Sequence, residues 1–279
     1  PCFAGIAVAA SWDFVGNDGD VGYTPGDPVG TGDHGTRVLS IMAGNEPGVY
    51  VGGAPEAEFI LARTEDISDE YAQEEDYWVF GLEWCEGEGA HLVSSSLGYI
   101  DWYQPGQLDG NTAVTTRAAD IAASRGLLVV NAVGNDGPGD TTLVAPADGD
   151  SVFAAGSVNS LGELSEYSSR GPTADGRIKP DGCARGEMTV FADPDAGYSQ
   201  GNGTSFAAPI VSGAFAGLSQ AHPEWSMMRI VEAVRATSSR AGSPDNGFGW
   251  GVINAHAALL HRSVAGIVRR ADTGEPLSG

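Results

Sequence analysis

The sequence predicts an α/β protein, a three-layer sandwich with a mostly parallel central sheet flanked by helices. Three observations carry that prediction. Short apolar runs of strand length alternate with longer segments of helical periodicity, and parallel strands need such crossovers to be joined. One run, Leu127 to Ala132, is almost wholly apolar, as a strand covered on both faces requires. Hydrophobic residues make up 42% of 279 positions and no low-complexity tract interrupts them, enough for one large core.

Each element follows in order. Ile6 to Val15 reads as a strand, and the Gly-, Asp- and Pro-rich stretch 16–33 as a loop. His34 to Asn45 is helical and ends at Gly44 and Asn45. Phe59 to Arg63 is a buried strand, and Glu70 to Glu86 a helix with Trp78, Leu82 and Cys85 on one side. His91 to Ser95 is a strand, Thr112 to Arg125 a helix, and Leu127 to Ala132 and Ser151 to Val158 are strands. From Ser205 to Ala221 runs a helix whose Ala207, Ala208, Gly213, Ala214, Ala216 and Gly217 let it lie deep in the molecule. Met227 to Thr237 and Asn254 to Arg262 close the main domain, 1–262. The texture then changes: Val264 to Val268 is strand-like and Asp272 to Leu277 a turn, so 263–279 resembles the opening of a C-terminal β-sandwich module.

Charge excludes some functions. The chain has 37 acidic against 14 basic residues, a net charge of −23, and Lys179 is its only lysine. Such a surface repels nucleic acid and anionic membranes, so neither is an expected partner. It suits a salty medium, where self-repulsion is screened. No apolar run reaches the roughly eighteen residues that span a bilayer. Cys2, Cys85 and Cys183 show no metal-ligand spacing, and Cys183 reads as a small buried hydrophobe. Asp18, Asp20 and Asp27 share one loop but lack the spacing of an EF-hand and read as solvated charge. No metal ligand and no cofactor is assigned.

Three segments carry chemistry. In Gly203-Thr204-Ser205-Phe206-Ala207-Ala208-Pro209, the serine opens a helix, where unpaired backbone N–H groups and the dipole favour a developing oxyanion. An ordinary capped helix start has the same look. In Gly32-Asp33-His34-Gly35-Thr36 a histidine opens another helix, a rigid mount for a general base or simply a surface residue. In Val133-Gly134-Asn135-Asp136-Gly137 an amide follows the apolar strand, at the strand end that faces sites in α/β sheets; a plain turn is the alternative.

Taken together and in this order, His34-Gly35-Thr36, Gly134-Asn135 and Gly203 to Pro209 resemble the subtilisin family of serine peptidases. Ser95-Ser96-Leu97-Gly98, Ser168 to Pro172, Lys179-Pro180-Asp181 and Gly249 to Ala255 are similar to further family segments, so the likeness runs to about Arg262. The resemblance implies Ser205 as nucleophile, His34 as base, and Asn135 as oxyanion donor with the Ser205 N–H. It implies that Ser96, Leu97 and Gly98 hold a peptide substrate as an added strand. The specificity pocket is expected between them and the segment holding Ala132, Val133 and Gly134, whose small residues leave room for a sizeable apolar side chain. It implies a monomeric endopeptidase, secreted or at the cell surface. A structural calcium ion fits the family but has no assignable site here. The rival expectation is a peptidase-like module that binds peptides without cleaving them.

One part of the pattern is not matched. The triad order Asp, His, Ser requires an aspartate before His34. Asp13 matches a later strand, and Asp33 adjoins the histidine too closely to orient it. The aspartate is expected upstream of Pro1, on a central strand, and without it the chain as given is expected to be inactive or nearly so, by about 10⁴-fold.

Overall fold

The computed structural model describes residues 2–68, 71–194 and 197–261. In chain order the elements are β1 (Ala7–Asp13), α1 (Asp33–Ala43), β2 (Asn45–Glu46), β3 (Tyr50–Val51), β4 (Glu58–Arg63) and α2 (Gln73–Gly87). Then come β5 (Leu92–Ser95), α3 (Val114–Ser124), β6 (Leu128–Ala132), β7 (Phe153–Val158) and β8 (Gly182–Arg185). The hairpin β9 (Thr189–Asp193) and β10 (Gly197–Gly201) leads to α4 (Thr204–Ala221), α5 (Met227–Thr237) and α6 (Ala255–Leu259). The suggested C-terminal module, 263–279, lies outside the described residues.

Strands β5, β6, β7 and β8 form one parallel sheet in that order, Leu92 beside Leu128, Val130 beside Phe153 and Ala155 beside Gly182. Side-chain alternation on the strands builds two cores. Leu128, Val130 and Ala132 pack with Val211 and Phe215 of α4 and Ile230 and Val234 of α5. Leu127 and Val129 point the other way, towards Trp78 and Leu82 of α2 and Ala119 and Ala122 of α3. Helices therefore cover both faces, which completes the three layers that the apolar pattern predicts.

Strands β1 and β4 form a separate parallel pair, Ala7 beside Glu58 and Asp13 beside Arg63. Among the described residues β4 does not pair with β5. The two sheets face each other across a cavity of about 710 Å³. Its walls are Phe59 to Arg63 on one side and Leu92 to Ser95 on the other; Met42 and Gly213 lie on the α1–α4 side, Trp78 and Leu82 on the α2 side.

Helix α4 runs through the middle because small residues let it. A Cβ on Gly213 would lie 2.8 Å from the Cα of Gly53, so only glycine permits that approach. Under the sheet, Asp181 is wholly buried and holds Lys179 Nζ at 2.9 Å, accepts from the Ala154 N–H at 2.6 Å and pairs with Arg235. The chain's one lysine is thus a core residue, 2% exposed, which also donates to the Val152 carbonyl at 2.8 Å. Cys183 is likewise buried on β8.

Candidate active site

Ser205 is the second residue of α4 and half-buried. Pro209 sits one turn further on and has no N–H for the Ser205 carbonyl. That carbonyl accepts the Ser96 hydroxyl instead, at 2.9 Å. In return the Ser205 hydroxyl donates to the Ser96 carbonyl at 3.4 Å. A proline inside the first turns of a helix thereby frees the acceptor that ties the serine to the end of β5.

Asn135 follows β6 and is exposed. Its Oδ1 accepts from the Thr204 N–H at 2.9 Å and lies 3.0 Å from the Thr204 hydroxyl, which also reaches the Gly134 carbonyl at 3.1 Å. With the oxygen engaged, the Asn135 NH₂ is the end left to donate outward. The backbone N–H of Ser205 belongs to the first turn, for which a helix offers no internal acceptor. Two donors therefore stand at the head of α4.

His34 is the second residue of α1 and lines the cavity together with Ser94, Ser95, Ser96 and Leu97. Burial disfavours the imidazolium, and the Arg37 charge adds to that, so its pKa lies below the ordinary histidine value. A neutral imidazole is the form that a general base needs. Among the described residues its ring makes no hydrogen bond, to Ser205 or to any carboxylate. Asp13 is taken up elsewhere: it caps the turn at Val15 and Gly16 at 2.8 and 3.0 Å and pairs with Arg63 at 2.8 Å. Asp33 is the first residue of α1. Of the acidic loop, Asp27 pairs with Arg63 at 3.2 Å and Asp18 accepts the Asp20 N–H at 2.8 Å.

The predicted substrate segments also meet here. Asn131 donates its side-chain N–H to the Leu97 carbonyl at 3.0 Å, which ties Ser96–Gly98 to the segment Ala132–Gly134. The sequence singles out His34, Asn135 and Ser205 as candidates but assigns nothing to Thr204, which holds Asn135, or to Pro209, which frees the Ser205 carbonyl for Ser96. Both residues stand in the Gly203 to Pro209 segment, but what they do there depends on contacts with Asn135 and Ser96 that are remote in sequence.

A serine at the head of α4, an amide bound beside it and a half-buried imidazole lining the cavity, with a parallel sheet behind them, are the arrangement expected of a subtilisin-fold serine peptidase. The family model of the subtilases matches residues 7–251, and the chain belongs to the subtilase family. It is 33% identical over 250 residues to subtilisin Savinase of Lederbergia lenta, covering 86% of this chain and 83% of that one. It is 33% identical to an alkaline protease of Alkalihalobacillus alcalophilus, of whose length it spans 59%. The solved structure of the prenylagaramide maturation protease PagA superimposes with a TM-score of 0.72 at 23% identity, over 94% of this chain and 87% of that one. The self-cleaved protease domain of PatA does so at 0.71 and 25%, over 93% and 90%.

Proposed function

We propose that the chain is the core of a secreted or cell-surface serine endopeptidase that cleaves extended peptides, acting as a monomer. Ser205 attacks the scissile carbonyl. His34 takes its proton and passes it to the leaving amine. The oxyanion is received by the Asn135 NH₂ and the Ser205 N–H, while Ser96, Leu97 and Gly98 pair with the substrate backbone. The observation that carries this reading is the convergence of three distant segments at the head of α4, with Asn135 locked by Thr204 and Ser205 tied to Ser96.

The triad aspartate comes, in the same proposal, from a segment preceding Pro1 that adds a strand between β4 and β5. Three features of the cavity support this. Both flanking strands offer an unpaired parallel edge, which in an interior costs roughly 1–3 kcal/mol per unsatisfied group. Apolar side chains line the cavity on the α1 side, Val38, Leu39 and Met42, and on the α2 side, Trp78 and Leu82, as for a strand buried on both sides. And towards the carboxyl ends of β5 and β4, Ser94 Oγ and Arg63 Nε are buried without a partner among the described residues, polar atoms that an added strand with a carboxylate would satisfy.

The lone imidazole of His34 also suits a peptide-binding module without catalysis. Labelling with a fluorophosphonate separates the two. A form extended upstream of Pro1 is expected to label at Ser205, with Ser205→Ala abolishing the signal and the given chain labelling about 10⁴-fold more slowly. An extended, folded form that stays unlabelled would leave the binding module as the answer.

A further inference from the structure

The small residues lining the expected specificity pocket suggest a roomy site, but the structure sets a side chain from a third segment between its walls. Residues 143, 145 and 147 pack into a core with Val133 and Ala154, so alternation turns Val144 the other way. The segment is held there by a pair of backbone bonds, Tyr99 N–H to Ala145 O at 2.9 Å and Ala145 N–H to Tyr99 O at 3.0 Å. Val144 is 7% exposed. A Cβ on Gly98 would lie 2.2 Å from Val144 Cγ2, and one on Gly134 would lie 3.1 Å from Cγ1. The isopropyl group therefore rests against the backbone of both walls. Ser169 closes the remaining side: its Oγ would be 2.7 Å from a Cβ on Gly134, and it accepts the Asp136 N–H at 3.0 Å. The walls cannot spread without losing the Asn131–Leu97 bond and the Tyr99–Ala145 pair.

We infer that Val144 is the residue that sets side-chain specificity: it fills the depth of the pocket, and the enzyme cleaves after small residues such as glycine, alanine or serine. The inference rests on the proposed role of Ser96–Gly98 and Ala132–Gly134 as pocket walls. An isopropyl group occupies the volume that a leucine or phenylalanine side chain would need, and close-packed neighbours yield little.

The test is kcat/KM of the upstream-extended form on succinyl-Ala-Ala-Pro-Xaa-p-nitroanilides with Xaa alanine, leucine or phenylalanine. Alanine is expected to lead phenylalanine by at least about tenfold, the scale of discrimination by apolar pockets. Val144→Gly is expected to reverse the order and Val144→Ala to move it part of the way. The ratio between two substrates on one enzyme sample does not depend on the fraction folded, so a destabilised variant still reports. A wild-type preference for phenylalanine, or a ratio that neither variant moves, overturns the inference while leaving the peptidase intact. No turnover of any substrate overturns it together with the peptidase reading.

Discussion

The two pieces of parallel sheet contain strands of similar length and end in different environments. Every residue of β6 and β7 is buried, whereas β1 and β4 are mostly exposed or half-buried. Composition does not explain this, because Phe59, Ile60 and Leu61 of β4 are as apolar as anything in β6. What differs is the company. Strands β6 and β7 have a paired strand on each side and helices above and below, while β4 has a partner on one side and a cavity on the other. A strand's burial is decided by its neighbours more than by its own letters.

Truncating side chains should cost far more in the first of these pieces than in the second. Phe215 is fully buried and packs edge-on against Phe153 with ring centroids 4.9 Å apart. Phe215→Ala is expected to cost about 3–5 kcal/mol in denaturant unfolding. Trp12→Ala, on β1 and 36% exposed, is expected to stay within about 0.5 kcal/mol. Similar losses at the two sites would mean that the sheet pieces are equally well packed. Asp181→Asn tests the buried charges of the well-packed half, where about 3–5 kcal/mol is expected for leaving Lys179 and Arg235 without their counter-charge. Burial pushes the Asp181 carboxyl up, but Lys179 and then Arg235 outweigh it and hold the pKa below its ordinary value. A group lowered on folding stabilises above its unfolded pKa, about 3.9. That share is lost as pH falls through the folded value. The acid limb of the stability curve should therefore flatten in Asp181→Asn; an unchanged limb would show that another carboxylate governs it.

Hydrogen exchange sharpens the same contrast without mutation. Amides of β6 and β7 should open only with global unfolding and those of β4 by local opening. A gap of roughly 3 kcal/mol, about a hundredfold in rate, is expected. Filling the cavity with an upstream strand should raise the protection of β4 and β5 and leave β7 unchanged. Equal protection of β4 and β6 in the given chain would show that the open edge is already secured.

The well-packed half is also the half that reads best in the sequence. The run Leu127 to Ala132 and the small-residue helix at Ser205 to Ala221 declare themselves, since burial on both faces leaves an unbroken apolar or small-residue signature. Strand β8, Gly182-Cys183-Ala184-Arg185, is buried along most of its length yet too short and too small-sided to stand out. The β9–β10 hairpin and the two-residue strands β2 and β3 gave no periodic signal either. At the candidate site, His34, Asn135 and Ser205 stand out through the order of their three segments and its resemblance to the subtilisin family, since each segment alone also fits an ordinary helix start or turn. Thr204, Pro209 and Val144 do not stand out, because their roles lie in whom they touch: a carboxamide, a freed carbonyl, and the backbone of two glycines.

His34 stands where the two pieces of sheet meet, and its titration gives the smallest and most local test. Burial first and the Arg37 charge second hold its pKa below the ordinary histidine value. Because folding lowers the pKa, the neutral ring stabilises the fold above the unfolded value, about 6.5. That contribution is lost as pH falls through the lower folded value. Arg37→Gln removes the second cause and leaves the first, so the imidazole should titrate higher in the variant, though still below a free histidine. An added strand that ends in a carboxylate beside the ring would act in the opposite sense to burial and raise the value. NMR titration of the His34 ring should therefore give a higher value in Arg37→Gln, and a higher value in the upstream-extended form, than in the given chain. If the extended form titrates no higher than the given chain, no carboxylate has reached the imidazole, and the cavity between β4 and β5 is not where the triad is completed.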